Sequence, residues 1–214
     1  VVMDFTGQSC GACGYELLYN ISSFESDQKF SNNVYFVSIH GSYGSSRVLY
    51  NQHAGSYSNY KKNRFLPYIS FNNIKDNKVI DSYYLEEEIN AKRVLKTDIK
   101  ATLTADNSLD ITVVAKKVKN GGRLKAKKVN VLLWVLENDI ETYQYVHSYK
   151  TIKHKHVLRG YLNEMWGQQY NLGDKYTFKG KMINTVKDPK NCEILAIIVD
   201  ANTKEFIDAE KVKL

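Results

Sequence analysis

Two of the chain's three cysteines stand three residues apart in Phe5-Thr6-Gly7-Gln8-Ser9-Cys10-Gly11-Ala12-Cys13, directly after the apolar run Val1-Val2-Met3-Asp4-Phe5. Thiols at that spacing can close a disulfide on each other and exchange it with a partner molecule. The run before them reads as a short buried strand, and Leu17, Leu18, Ile21 and Phe24 recur at helical spacing beyond them. Strand, cysteine pair and helix, in that order, put Cys10 at or just before a helix N-terminus. Unpaired backbone N–H groups and the positive end of the helix dipole favour a thiolate there. Cys13, one turn inside the helix, is then placed to attack a mixed disulfide formed at Cys10 and release it. The pattern points to dithiol–disulfide exchange, with Cys10 as nucleophile and Cys13 as resolving thiol. The same spacing also serves as half a zinc site or as an inert structural disulfide.

Two further residues sharpen the reading. A cysteine pair of this spacing near a strand–helix–strand pattern suggests a thioredoxin-like unit. Asp4, six residues before Cys10, sits inside a strand where an acid has no packing reason to be. It resembles the buried acid that thioredoxins keep near the second cysteine to manage its proton. Leu66-Pro67 precedes the strand-like run Tyr68-Ile69-Ser70-Phe71 and resembles the cis-proline that faces the dithiol in thioredoxin-like proteins. An ordinary trans proline at a strand start is the alternative. Ser9 and Ala12 depart from the usual thioredoxin pattern of an aromatic residue before the motif and proline within it. Those positions tune the couple, so the redox direction stays open.

The elements that must position these residues follow from periodicity. A helix over about 11–27 leads to Val34-Tyr35-Phe36-Val37-Ser38-Ile39, a nearly continuous apolar run of the buried parallel-strand kind. A long polar segment from His40 to Arg64, rich in Gly, Ser, Asn and Tyr, starts at that strand's C-terminal end, where open α/β sheets bind ligands. Leu66, His40 and Tyr43 are accordingly the candidate substrate contacts, and a tyrosine-rich loop over the dithiol suits a peptide or a sugar. Residues 68–73 and 77–81 fit a hairpin turning at Lys75-Asp76-Asn77, and 85–95 fit a closing helix. From residue 96 the period changes. Strand-like runs at 99–103, 109–118, 129–136, 140–146, 154–162, 176–182, 194–199 and 206–212 are separated by turn signals. The expected architecture is α/β plus all-β: a thioredoxin-like domain over 1–95 and an antiparallel, immunoglobulin-like β-sandwich over 96–214.

Length and composition fit two modest domains: 214 residues, 43% hydrophobic and 25% charged, with no run of the roughly 20 apolar residues that a membrane helix needs. No signal peptide is present, and the chain opens inside a strand, so the expectation is a processed or truncated fragment. Residues 1–95 carry 9 basic and 9 acidic side chains and residues 96–214 carry 21 and 14, so the whole net charge of +7 lies in the second half. Lys116, Lys117, Lys119, Arg123, Lys125, Lys127 and Lys128 cluster around the turn Asn120-Gly121-Gly122. They read as a solvated hairpin tip or as a contact for anionic glycan, lipid headgroup or a partner. Nucleic acid is not expected, because no helical basic face or aromatic-interleaved motif accompanies them. Cys192 heads an apolar run and reads as a small buried hydrophobe. A zinc site from Cys10, Cys13, His40 and His53 lacks ligand spacing. His154 and His156 alternate onto one strand face without a completing acid or thiol, and Arg159 braces the sandwich. No cofactor and no metal are expected.

Phe5-Thr6-Gly7-Gln8 before the cysteines, then Val37-Ser38-Ile39-His40, Leu66-Pro67 and His154-Lys155-His156-Val157-Leu158-Arg159 followed by Trp166-Gly167 resemble, in this order, the outer membrane protein 28-related family. The resemblance implies an exported outer-membrane, periplasmic or surface protein of a gram-negative anaerobe. It also implies a thioredoxin-like domain joined to a β-sandwich, held to the membrane by a lipid anchor outside this fragment. Export would let a Cys10–Cys13 disulfide persist. Two functions follow. One is a thiol–disulfide oxidoreductase acting on a protein thiol or disulfide, with Asp4 handling the resolving proton and Pro67 shaping the groove. The alternative is a non-catalytic surface-binding or adhesion lipoprotein in which Cys10–Cys13 is structural.

Overall fold

The computed structural model describes residues 1–42, 45–46, 48–62 and 65–214. It is a mixed α/β chain dominated by β-sheet, and it divides into two compact units: residues 1–90 with 138–158, and residues 91–137 with 159–214. The division differs from the single boundary expected at 95/96. The chain leaves the first unit at Asn90, and the hairpin within 138–158, which reads as sandwich in the sequence, returns to it.

In chain order the first unit holds β1 (Val2–Thr6), α1 (Gly11–Tyr15), a π-helical turn (Glu16–Ile21), α2 (Ser22–Ser26) and α3 (Gln28–Ser31). Then come β2 (Phe36–His40), α4 (Gln52–Lys61), β3 (Tyr68–Phe71), β4 (Lys75–Asn77) and α5 (Ser82–Asn90). The second unit contributes β5 (Leu95–Leu103), β6 (Ser108–Lys117) and β7 (Val129–Glu137) before the hairpin β8 (Ile140–Tyr145) and β9 (Tyr149–His154). β10 (Val157–Tyr161) carries the chain back, followed by β11 (Gln168–Tyr170), β12 (Tyr176–Lys181), β13 (Cys192–Asp200) and β14 (Phe206–Lys213).

β1 is the central strand of the first unit. It pairs in parallel with β2, with Asp4 opposite Ser38 and Thr6 opposite His40, and antiparallel with β3, with Phe5 opposite Tyr68. β4 adds an antiparallel edge to β3. Every β1 residue is buried, as a strand covered on both faces must be. Val2 and Asp4 alternate onto one face, where Val2, Phe36, Ile69 and Phe71 pack with Ile21 and Phe30 from the helices. The helix expected over 11–27 is one run with a π-helical turn in its middle, a local widening that hydrophobic period does not register. The turn expected at Lys75-Asp76-Asn77 lies instead at Asn72 and Asn73, both at positive φ, and those three residues form β4. Asparagine tolerates the left-handed region that this turn requires.

The second unit is a β-sandwich. One antiparallel sheet runs β12–β6–β5, and the other has β7 between β13 and β11 with β14 beyond β13. Alternate residues from both meet in one core, Leu109, Ile111 and Val113 against Val131, Leu133 and Ile194 among them. The single strand expected over 154–162 is two. β9 ends at His154, and His156 takes φ 52° before β10, so the two histidines do not share a strand face. Cys192 is fully buried at the start of β13, and burial pushes its thiol up to about 12, which makes it the inert packing residue expected.

Candidate dithiol site

The site is built at the C-terminal end of β1. The chain leaves Thr6 and turns so that the Cys10 N–H donates to the Gly7 carbonyl at 3.2 Å, and it enters α1 with Cys10 as N-cap. Cys10 and Cys13 form a disulfide with Cα atoms 5.2 Å apart. The two sulfurs are not equivalent. Cys13 is fully buried and Cys10 is half-buried, and the Cys13 N–H donates to the Cys10 Sγ at 3.2 Å. That donor would favour negative charge on the outer sulfur when the pair is reduced.

Two buried carboxyl groups, Asp4 and Glu16, stand on the strand and the helical run that flank the disulfide. Asp4 is 1% exposed, and among the described residues neither of its oxygens has a hydrogen-bond partner. Burial, with the nearby Glu16 carboxylate, holds the Asp4 carboxyl well above the usual carboxylate range. Glu16 is itself buried, accepting from the Ile80 N–H at 2.9 Å and from the Asn20 side chain at 2.5 Å. It lies three residues after Cys13 on the same helix face, a spacing that is legible in the sequence.

Leu66–Pro67 is a cis peptide, as its resemblance implied. It stands just before Tyr68, which pairs with Phe5, and so reaches the end of β1 from which the cysteine loop departs. A groove of about 520 Å³ puts it beside the motif, lined by Ala12, Tyr15, Glu16, Asn20, Phe65, Leu66, Pro67, Lys78 and Val79. Ala12, between the two cysteines, and Glu16 thus share one groove with Leu66 and Pro67. His40 does not join them as a substrate contact. It is 1% exposed, its ring packs edge-on against His154 at 5.5 Å, and its Nδ1 lies 3.5 Å from the Ser45 hydroxyl. Tyr43 lies outside the described residues. Among the described residues no three His, Cys, Asp or Glu side chains converge as metal ligands.

The sequence reading missed the supports. Gln8 is fully buried, donating to the Tyr143 carbonyl at 2.8 Å and accepting from the Ser46 N–H at 2.7 Å. Gln144, also fully buried, donates to the carbonyls of Gly7 and Cys10 at 3.2 and 3.3 Å. Tyr145 N–H returns a bond to the Gln8 carbonyl at 2.8 Å. The hairpin β8–β9 thus grips the cysteine turn from a part of the chain far away in sequence.

No helix among the described residues is long and apolar enough to cross a membrane. No curated protein matches the chain. HBP35 of Porphyromonas gingivalis superposes on all of this chain and on 74% of its own, with a TM-score of 0.78 at 16% identity, which is a likeness of fold. A domain of the outer membrane lipoprotein Omp28 from Porphyromonas gingivalis, 21% identical, covers 57% of this chain and 88% of its own at a TM-score of 0.42. The family described as outer membrane protein Omp28 matches residues 54–214. The chain belongs to that family, and with it to the exported proteins of the outer membrane.

Proposed function

We propose that the first unit is a thioredoxin-like thiol–disulfide oxidoreductase of the cell envelope, acting on a protein thiol or disulfide. The observation that carries this reading is the asymmetry of the pair: an outer sulfur at Cys10 that accepts the Cys13 N–H, and a buried partner beneath it. In the reducing direction the Cys10 thiolate attacks a substrate disulfide, forming a mixed disulfide and expelling one substrate thiolate, which takes up a proton. Cys13, deprotonated, then attacks the Cys10 sulfur, closing the internal disulfide and releasing the second substrate thiol. Two electrons pass to the substrate, and the reverse sequence oxidises a substrate dithiol. Asp4, whose carboxyl burial raises well above the usual carboxylate range, is suited to exchanging the Cys13 proton where water does not reach. Leu66 and Pro67 line the groove in which a substrate segment would lie.

The test is a glutathione redox titration of the full chain, paired with the pH dependence of thiol alkylation. The reading expects one thiol titrating well below the ~8.5 of free cysteine. It also expects loss of insulin disulfide reduction in Cys10→Ser, and a trapped mixed disulfide in Cys13→Ser. Two thiols of ordinary acidity with no turnover in either direction would reject it and leave Cys10–Cys13 as a structural clasp.

A further inference from the structure

The basic run of the second unit is larger in space than in sequence. β6 ends at Lys117, and Lys119, Arg123, Lys125, Lys127 and Lys128 follow in the irregular segment before β7. That segment is tied to the entry of β5: the Val118 N–H donates to the Val94 carbonyl at 3.0 Å, and the Gly122 N–H to the Arg93 carbonyl at 3.2 Å. A Cβ on Gly121 would overlap that same Arg93 carbonyl, so the approach needs glycine. Lys92, Arg93 and Lys96 thereby join the cluster. Residues 92–96 and 116–128 together hold ten Lys and Arg, all exposed, and no Asp or Glu.

Two features separate this face from an ordinary solvated one. Asp208 holds Arg93 at 3.0 Å, but among the described residues none of the other nine cations takes part in an ion pair. Lysines elsewhere in the unit do pair, Lys179 with Asp110 at 3.2 Å and Lys211 with Glu193 at 3.0 Å. In addition, Lys96 and Lys116 stand directly opposite each other in the β5–β6 register, a like-charge pair that weakens a sheet. Leu124 and Ala126 turn inward onto the core, so the segment's outer face is left to cations.

We propose that this cluster is an electrostatic docking face for an anionic, phosphate-bearing lipid surface. The cations spread over two strand ends and a loop, which matches an extended layer of phosphates. No aromatic residue lies in 92–96 or 116–128 to stack on a base or sugar ring. The family is one of the outer membrane, where such a layer is at hand. The inference is independent of any redox role of the cysteines.

The experiment is flotation of the full chain with vesicles of phosphatidylcholine, with and without phosphatidylglycerol. Binding is expected only to the anionic vesicles, with release as the screening length falls from about 10 Å at 0.1 M salt to about 3 Å at 1 M. Each cation near such a surface multiplies partitioning roughly fivefold, so K119Q/R123Q/K125Q should weaken it about 100-fold, and K119E/R123E/K125E further. K175E/K190E/K213E, the same charge change elsewhere on the unit, should cost far less. Thermal melts of all three variants verify folding. Equal binding to neutral vesicles, salt-insensitive binding or equal losses in the two charge-reversed variants would overturn the proposal. So would binding to dextran sulfate with none to anionic vesicles, which would assign the face to a glycan.

Discussion

Gln144 donates its side-chain N–H to the backbone carbonyl of Cys10, 3.3 Å away across 134 residues of chain. The same amide reaches the Gly7 carbonyl at 3.2 Å. The turn that presents the outer sulfur is therefore held by a hairpin from the far half of the chain, and its geometry depends on that hairpin staying docked.

Removing the grip should cost stability and loosen the turn together. Gln144→Leu leaves the Gly7 and Cys10 carbonyls without this donor in a buried site, which costs about 1–3 kcal/mol. Gly14→Ala tests the same docking from the other side, because a Cβ there would overlap the Tyr145 carbonyl and lie 2.6 Å from Val146 Cγ2. Overpacking of this kind costs about 1–3 kcal/mol. Urea denaturation of each variant reads the loss, and changes within about 0.5 kcal/mol in both, the range of ordinary surface substitutions, would show that the hairpin is not what holds the turn.

Asp4 should leave a pH signature. In the unfolded chain its carboxyl titrates near 3.9, whereas in the fold burial and Glu16 raise it well above that. Below both values the proton is bound in either state and Asp4 favours neither. As pH rises, the unfolded chain releases its proton first, so stability falls by about 1.4 kcal/mol per pH unit until the folded carboxyl also ionises. Asp4→Asn has no proton to lose. Its stability relative to the native chain should grow from pH 4 upward, and a difference that stays flat from pH 4 to 8 would contradict the burial account.

Much of this site is legible in the residues themselves. The Cys10–Cys13 disulfide, the buried Asp4 and the cis Pro67 stand out by residue type and by offset from one strand, because the chemistry of a sulfur pair constrains its local frame. Eight strand-like runs in the second half likewise follow from alternation that a buried sandwich face imposes. What sequence did not disclose are long-range docking choices. Nothing in Ile140–His154 distinguishes a sandwich hairpin from one that leaves the sandwich, since both alternate polar and apolar residues. His40 reads as a loop-mouth ligand because it ends a strand, and only the fold shows His154 brought against it. Gln8 and Gln144 are silent because an amide carries no charge or period, and its value appears only when its partners are in place.

In the sandwich, Arg159 lies 3.0 Å from Glu137 with both side chains almost fully buried. Glu137 also accepts from the backbone N–H groups of Lys187 at 3.0 Å and Asp188 at 2.7 Å. Arg159 donates to the Thr185 carbonyl as well. Glu137→Leu strands a buried guanidinium and two N–H donors, so a loss of about 3–5 kcal/mol is expected. Arg159→Met alone should cost a similar amount. The double variant should lose clearly less than the two singles added, because neither charge is then left alone. Strict additivity in a urea-denaturation cycle would mean that the two residues act separately.

His154 predicts the acid side of the stability curve. It is 1% exposed, with its ring against His40, and burial holds its pKa down at about 4. The unfolded chain binds that proton near 6.5. Above 6.5 the imidazole is neutral in both states, and its packing contributes in full. As pH falls from 6.5 toward 4, the unfolded state gains a proton that the fold refuses, so stability is lost, by about 3 kcal/mol in all at 1.36 kcal/mol per unit. Asp4 pushes the other way over part of this window, so the total curve does not isolate either group. The comparison that does is His154→Gln against the native chain at pH 7, 5.5 and 4.5. The variant lacks the titrating ring, so the native chain's advantage should shrink step by step toward low pH. A native advantage that stays constant or widens as pH falls would mean that His154 already carries its proton in the fold.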